Sequence, residues 1–158
     1  MEGCIACDLL EGRLALPGGV IHDTGSWVVE HCVGPLGVGT LIVKPRRHVT
    51  RVSELTRDEA RELGGVLRLA AAMVDAECPN EQTYVTLWSH SDATPQHIHW
   101  VVQPVTARRM ADHDGLYGPR LQVAMFAARE APDAAAVEAV AGRMRAWLAQ
   151  HTRGQRPG

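Results

Sequence analysis

From His97 to Gln103 the chain follows a period of two: His97, His99, Val101 and Gln103 share one parity, Ile98, Trp100 and Val102 the other. Successive side chains of a strand point to opposite faces, so the run predicts a β-strand with one wholly apolar face. That face has to be covered, by the core or by a partner. The opposite face carries two histidines about 7 Å apart at the backbone. They are close enough to share one metal or one substrate, or to form a hydrogen-bonded pair at a strand end.

The rest of the chain supplies partners for such a strand. Cys4 to Arg13 reads as a short helix stopped by Leu16-Pro17-Gly18-Gly19. Val20–Asp23 and Ser26–Cys32 have the spacing of a hairpin, and Thr40–Pro45 reads as a buried strand closed by its proline. Thr56-Arg57-Asp58-Glu59 is a capping box that opens a helix with Leu63, Leu67, Ala70 and Val74 on one face, stopped at Cys78-Pro79-Asn80. Gly64-Gly65 weakens that helix or admits a close backbone. Thr83–Trp88 is a further strand, joined to His97–Val105 by the polar loop Ser89–Gln96. Beyond Pro104 the chain reads as irregular until Pro132-Asp133, where a second helix begins with Val137, Val140, Met144 and Leu148 on one side. Strands gathered before and after a central helix predict an antiparallel α+β sheet rather than a βαβ fold.

At 158 residues, 46% hydrophobic and 22% charged, the chain has the size and composition of one ordinary domain. A net charge of −2 gives no electrostatic footprint for a nucleic-acid polymer or a membrane surface. The basic run Lys44-Pro45-Arg46-Arg47 reads as a solvated strand end in preference to a phosphate-reading patch. Met1, Glu2, Gly3 and Cys4 open no apolar stretch, so no secretory leader, no membrane span and a cytoplasmic location are expected. In a reducing setting the four cysteines do not predict a disulfide framework. Trp27, Trp88, Trp100 and Trp147 are expected to anchor core or interface.

Two further features carry potential chemistry. Cys4-Ile5-Ala6-Cys7 is a CxxC at the start of a helix. It suits a redox pair whose thiol pKa the helix lowers, half of a tetrahedral zinc site, or two buried thiols. His48 follows the strand end at Arg46-Arg47.

These segments together resemble the histidine-triad superfamily of nucleotide hydrolases and transferases. The superfamily pattern runs Cys-x-x-Cys, Gly-Thr-Leu-Ile-Val-x-Pro-x-x-His, a capped helix, then His-x-His-x-His-x-x-Pro. The matching segments are Cys4–Cys7, Gly39–His48, Thr56–Cys78 and His97–Pro104. The resemblance covers roughly residues 4–105 and implies an α+β histidine-triad-like fold: an antiparallel five-stranded sheet with a central helix, to which this chain adds a C-terminal helix. A single domain over 1–151, with an extension from 106 and a flexible tail over 152–158, follows from it.

Carried over by position, the resemblance makes His99 the catalytic nucleophile, attacking a phosphate of a nucleotide. It makes Cys4, Cys7, His48 and His97 the ligands of a structural zinc, and it implies a homodimer with Trp100 and the central helix as contacts. Val101 departs from the third triad position, where the family has histidine or glutamine. Gln103, one pleat further on, is the expected partial replacement for phosphate binding. Thr94 falls where a family serine contacts phosphate, and His90 is a candidate proton donor. The family's ribose-binding acid falls at Cys32, and the one-residue offset of Glu30 and His31 is expected to turn them to the opposite face.

The leading reading is a nucleotide hydrolase or nucleotidyltransferase acting on a phosphoanhydride, ester or phosphoramidate. The alternative is a nucleotide-binding module of the same fold with weak or no catalysis. A third is a zinc- or thiol-based protein built on Cys4 and Cys7.

Overall fold

The structure is a computed structural model that describes residues 3–89 and 95–152. A short helix, α1 (Ile5–Leu10), precedes strands β1 (Val20–Asp23), β2 (Trp27–His31) and β3 (Leu41–Pro45). The central helix α2 (Arg57–Glu77) follows, then β4 (Gln82–Trp88) and β5 (His99–Val105). Helices α3 (Ala107–Asp112), α4 (Gly118–Ala128) and α5 (Ala134–His151) complete the chain. All neighbouring strands are antiparallel, in the order β1-β2-β3-β5-β4. The expected five-stranded sheet, central helix and additional C-terminal helix are therefore all present. Among the described residues, no helix is long and apolar enough to cross a membrane.

The period-two reading of the last strand decides which residues face which layer. Ile98, Trp100 and Val102 enter the core under α2 and α5 with Trp27, Val43, Val66, Ala70, Met73 and Met144. Trp27 and Trp100 meet edge to face there, with ring centroids 5.5 Å apart. Trp100 is thus spent on the chain's own core, which corrects its expected place in a dimer contact. Val101 and Val105 enter a second cluster on the other face, with Leu121 and Met125 of α4.

Helix α2 begins as its sequence demands. The Glu59 amide donates to the Thr56 hydroxyl at 3.2 Å, and the Thr56 amide donates to the Glu59 carboxylate at 2.7 Å, a cap worth about 1 kcal/mol. Its buried stripe is wider than expected. Val66 and Met73 are buried along with Ala70 and Val74, while Leu63 and Leu67 pack at the margin. A helix lying on both a sheet and α5 has to bury a broad face. A Cβ on Gly64 or Gly65 would meet nothing within 4 Å, so among the described residues no backbone of another element approaches them. Gly39 differs: its φ is +89° and a Cβ there would lie 2.5 Å from the Cys78 sulfur.

Between Pro104 and Pro132 the chain is regular, contrary to expectation. Thr106 caps α3 through the Arg109 amide, and Pro119 stands in the first turn of α4. The buried side of α4 is Leu121, Gln122 and Met125, and the polar Gln122 breaks the apolar period that would mark such a short helix. The basic run is solvated only in part: Arg46 and Arg47 are exposed, each with an ion-pair partner in Asp23 and Glu59, whereas Lys44 is buried against Glu30.

Candidate functional site

Cys4 is the N-cap of α1 and Cys7 stands three residues on, so both thiols face one side of the first turn. His48 follows β3, and His97 stands two residues before the start of β5. The fold brings the four together: their ligand atoms all lie within 4.8 Å of one another. The Nδ1 of His97 is 3.6 Å from the Cys4 sulfur and 3.7 Å from the Cys7 sulfur, and the Nδ1 of His48 is 3.5 Å from the Cys7 sulfur. In a tetrahedron with metal–sulfur bonds of about 2.3 Å and metal–nitrogen bonds of about 2.05 Å, each sulfur–nitrogen edge is about 3.6 Å. The spacing and the Cys₂His₂ donor set both fit a metal site.

The protonation of His97 fits as well. His97 donates from Nε2 to the Pro45 carbonyl at 2.9 Å, which leaves the Nδ1 lone pair facing the sulfurs. Burial pushes the His97 imidazole down to about 4, so it is neutral at pH 7. The Cys7 thiol is raised, chiefly by burial and by its Cys4 neighbour.

His99 is tied differently. Its Nδ1 donates to the His97 carbonyl at 3.0 Å, so the lone pair is on Nε2. Burial lowers its pKa below 6.5, and the nearby Lys44 charge lowers it further. The ring borders a pocket of about 620 Å³ whose wall includes Glu30, Cys32, Ile42, Lys44, Trp88 and Val101. Val101 is fully buried and apolar, so the third triad position contributes no hydrogen bond.

The remaining candidates are placed less uniformly. His90 and Thr94 lie outside the described residues. Gln103 is fully buried; its amide donates to the Leu36 carbonyl at 2.9 Å and accepts from Gln122 at 3.1 Å, and it does not border the pocket. Cys32 does border the pocket, with its thiol pushed up to about 11 by burial. Glu30 corrects the expected offset. It stands two residues from Cys32, so it shares that face and the same pocket wall. His31 alone is turned away, with Nδ1 donating to the Cys32 carbonyl and Nε2 accepting from the Gly39 amide.

The pairing of Glu30 with Lys44 is what the sequence alone does not indicate. They form a buried pair, Nζ to Oε1 at 2.5 Å, and Lys44 also donates to the Ala6 carbonyl at 3.1 Å. Oε2 of Glu30 has no hydrogen-bond partner among the described residues. Burial raises the Glu30 carboxyl despite the opposing pull of Lys44. Only their parity is legible there: a lysine inside Leu41–Pro45, on the Ile42 parity, and a glutamate on the Cys32 parity.

No family model matches the sequence. Among solved structures, a hypothetical histidine triad nucleotide-binding protein from Sulfolobus tokodaii is similar at 15% identity, with 96% of each chain covered and a TM-score of 0.70. A zinc-bound histidine triad family protein from Mycobacterium smegmatis is similar at 17% identity, covering 96% of this chain and 97% of that one, with a TM-score of 0.68. A Hit-like protein involved in cell-cycle regulation from Bartonella henselae is similar at 11% identity over 88% and 91% of the two chains, with a TM-score of 0.65. The chain therefore has the histidine-triad fold, and the likeness runs past the segments that carry the sequence pattern.

Proposed function

We propose, from the histidine-triad fold and the pocket beside His99, that this chain binds a nucleotide there and is a hydrolase or transferase of its phosphate through His99. Nucleotide binding is the better supported part, and the covalent step is its finer extension. The observation that carries the chemistry is the tie from His99 Nδ1 to the His97 carbonyl, which holds the ring as the neutral tautomer with Nε2 free.

In this reading the Nε2 lone pair forms a bond to phosphorus as the bond to the leaving oxygen, or in a phosphoramidate to the leaving amine nitrogen, breaks, and the leaving group departs with that electron pair. Water or another phosphate then attacks the same phosphorus, breaks the P–N bond and returns the pair to Nε2. Splitting one displacement into two is the gain of a covalent intermediate. His97, held at both ring nitrogens, positions the carbonyl that orients His99.

Cys4, Cys7, His48 and His97 would hold a structural zinc, which supplies a rigid tetrahedral link between α1, the end of β3 and the start of β5. With four protein ligands the site is closed, so its contribution is to the position of the strand. Thr94 and His90 stay as candidates for the phosphate.

The second reading, a binding module with weak or no chemistry, is favoured by Val101, which provides neither proton nor charge. Incubation with labelled dinucleoside polyphosphates and nucleoside phosphoramidates separates the two. Turnover by the native chain that His99→Ala abolishes supports the enzyme. Equal turnover by the variant overturns the mechanism, and binding without product leaves the module.

A further inference from the structure

Among the described residues that border the pocket, two carry a cationic side chain, Lys44 and Arg129. Lys44 is neutralised by Glu30 at 2.5 Å. Arg129 is exposed and has no ion-pair or hydrogen-bond partner among the described residues. Among the described residues it is the uncommitted positive charge of the pocket.

Its backbone is unusual. Arg129 follows the last turn of α4 with φ 55° and ψ 28°, the left-handed region that a side chain disfavours and that glycine or asparagine ordinarily fills at a helix end. It is one of two non-glycine residues at positive φ among those described. The same turn leads the chain off α4 so that Arg129 and Ala131, with Phe126 of α4 itself, border the pocket that holds His99 and Val101. Residues held in strained conformations concentrate at ligand-binding sites.

We propose that Arg129 is the anion-binding residue of this pocket, its guanidinium receiving the phosphate oxygens of the bound nucleotide. It supplies the charge and the donors that Val101 lacks, from the C-terminal extension instead of the strand. A guanidinium presents a planar fork of N–H donors that matches a phosphate edge. The inference rests on the nucleotide reading above, and the test separates the two.

Binding of AMP and of inorganic pyrophosphate is measured by calorimetry on the full chain and on Arg129→Gly. Glycine removes the guanidinium and fits the left-handed backbone, so the variant is expected to match or exceed the native Tm. Its affinity for both probes is expected to fall roughly tenfold or more, and Arg129→Lys to recover only part of the loss. A structural arginine would behave in the opposite way, lowering Tm and sparing affinity. If Arg129→Gly lowers Tm, Arg129→Asn, which also tolerates this backbone, must still show the affinity loss. Native affinity for AMP in the variants overturns the inference and leaves the nucleotide reading standing. Pyrophosphate binding that depends on Arg129, with no AMP binding, supports the inference and overturns the nucleotide reading. If the native chain binds neither probe, both fall.

Discussion

His99 donates its Nδ1 proton to the backbone carbonyl of His97, 3.0 Å away. His97 in turn donates from its other ring nitrogen, Nε2, to the carbonyl of Pro45. The two histidines, alike in sequence, are thus fixed as opposite tautomers. One presents Nδ1 to the cysteines and the other presents Nε2 to the pocket.

The metal site makes the first prediction. The purified chain is expected to contain about one zinc per molecule by elemental analysis. His48→Ala and Cys7→Ser should lose most of the metal, and both should lower Tm, since metal held only by the folded state stabilises it. Full metal content in both variants would remove these residues from the ligand set.

Glu30 and Lys44 provide a test of buried charge. Lys44→Met strands the Glu30 carboxylate and should destabilise the chain by about 3–5 kcal/mol. Combining it with Glu30→Leu should recover most of that loss. Denaturant titration of the single and double variants gives the coupling; additive losses would mean the pair is not a unit.

Gly64 and Gly65 lie in the middle of α2, where an added methyl meets nothing within 4 Å. Gly64→Ala and Gly65→Ala should each add about 0.5–1 kcal/mol by helix propensity, raising Tm by about 1–4 °C. A fall in Tm would place an unseen surface against this face of the helix.

The buried histidines set the pH dependence. His31 and His99 both have folded pKa values lowered from 6.5, by burial first. The unfolded chain then binds protons more readily, so their stabilising contribution is complete above pH 6.5 and is lost as pH falls through the folded values. Unfolding free energy should be flat between about pH 7 and 8 and decline below 6.5. The acid limb of any turnover should likewise fall below 6.5, since His99 stays neutral until then; a midpoint above 6.5 would contradict the assignment.

How far the sequence reached depends on the kind of signal. The alternation from His97 to Val102 placed Trp100 and Val101 on the correct layers because a strand's parity is a local property. The Thr56–Glu59 cap was equally local. Helix α4 was missed because its buried side includes Gln122, whose amide is satisfied by Gln103 and Thr86, partners distant in sequence. Lys44 was read as solvated for the same reason: its partner Glu30 is on another strand. The four metal-site residues were found only as a family pattern, since Cys4 and His97 meet through tertiary packing alone.

The central claim is that His99 is the nucleophile, and it is tested most directly by trapping the intermediate. The native chain is mixed with a nucleoside phosphoramidate, quenched in alkali within the first turnover, and weighed intact. A mass increase of one nucleotidyl group, mapped to the peptide containing His99 and absent from His99→Ala, is the predicted result. A nucleotide that binds without forming this adduct, or an adduct that persists in His99→Ala, would contradict it.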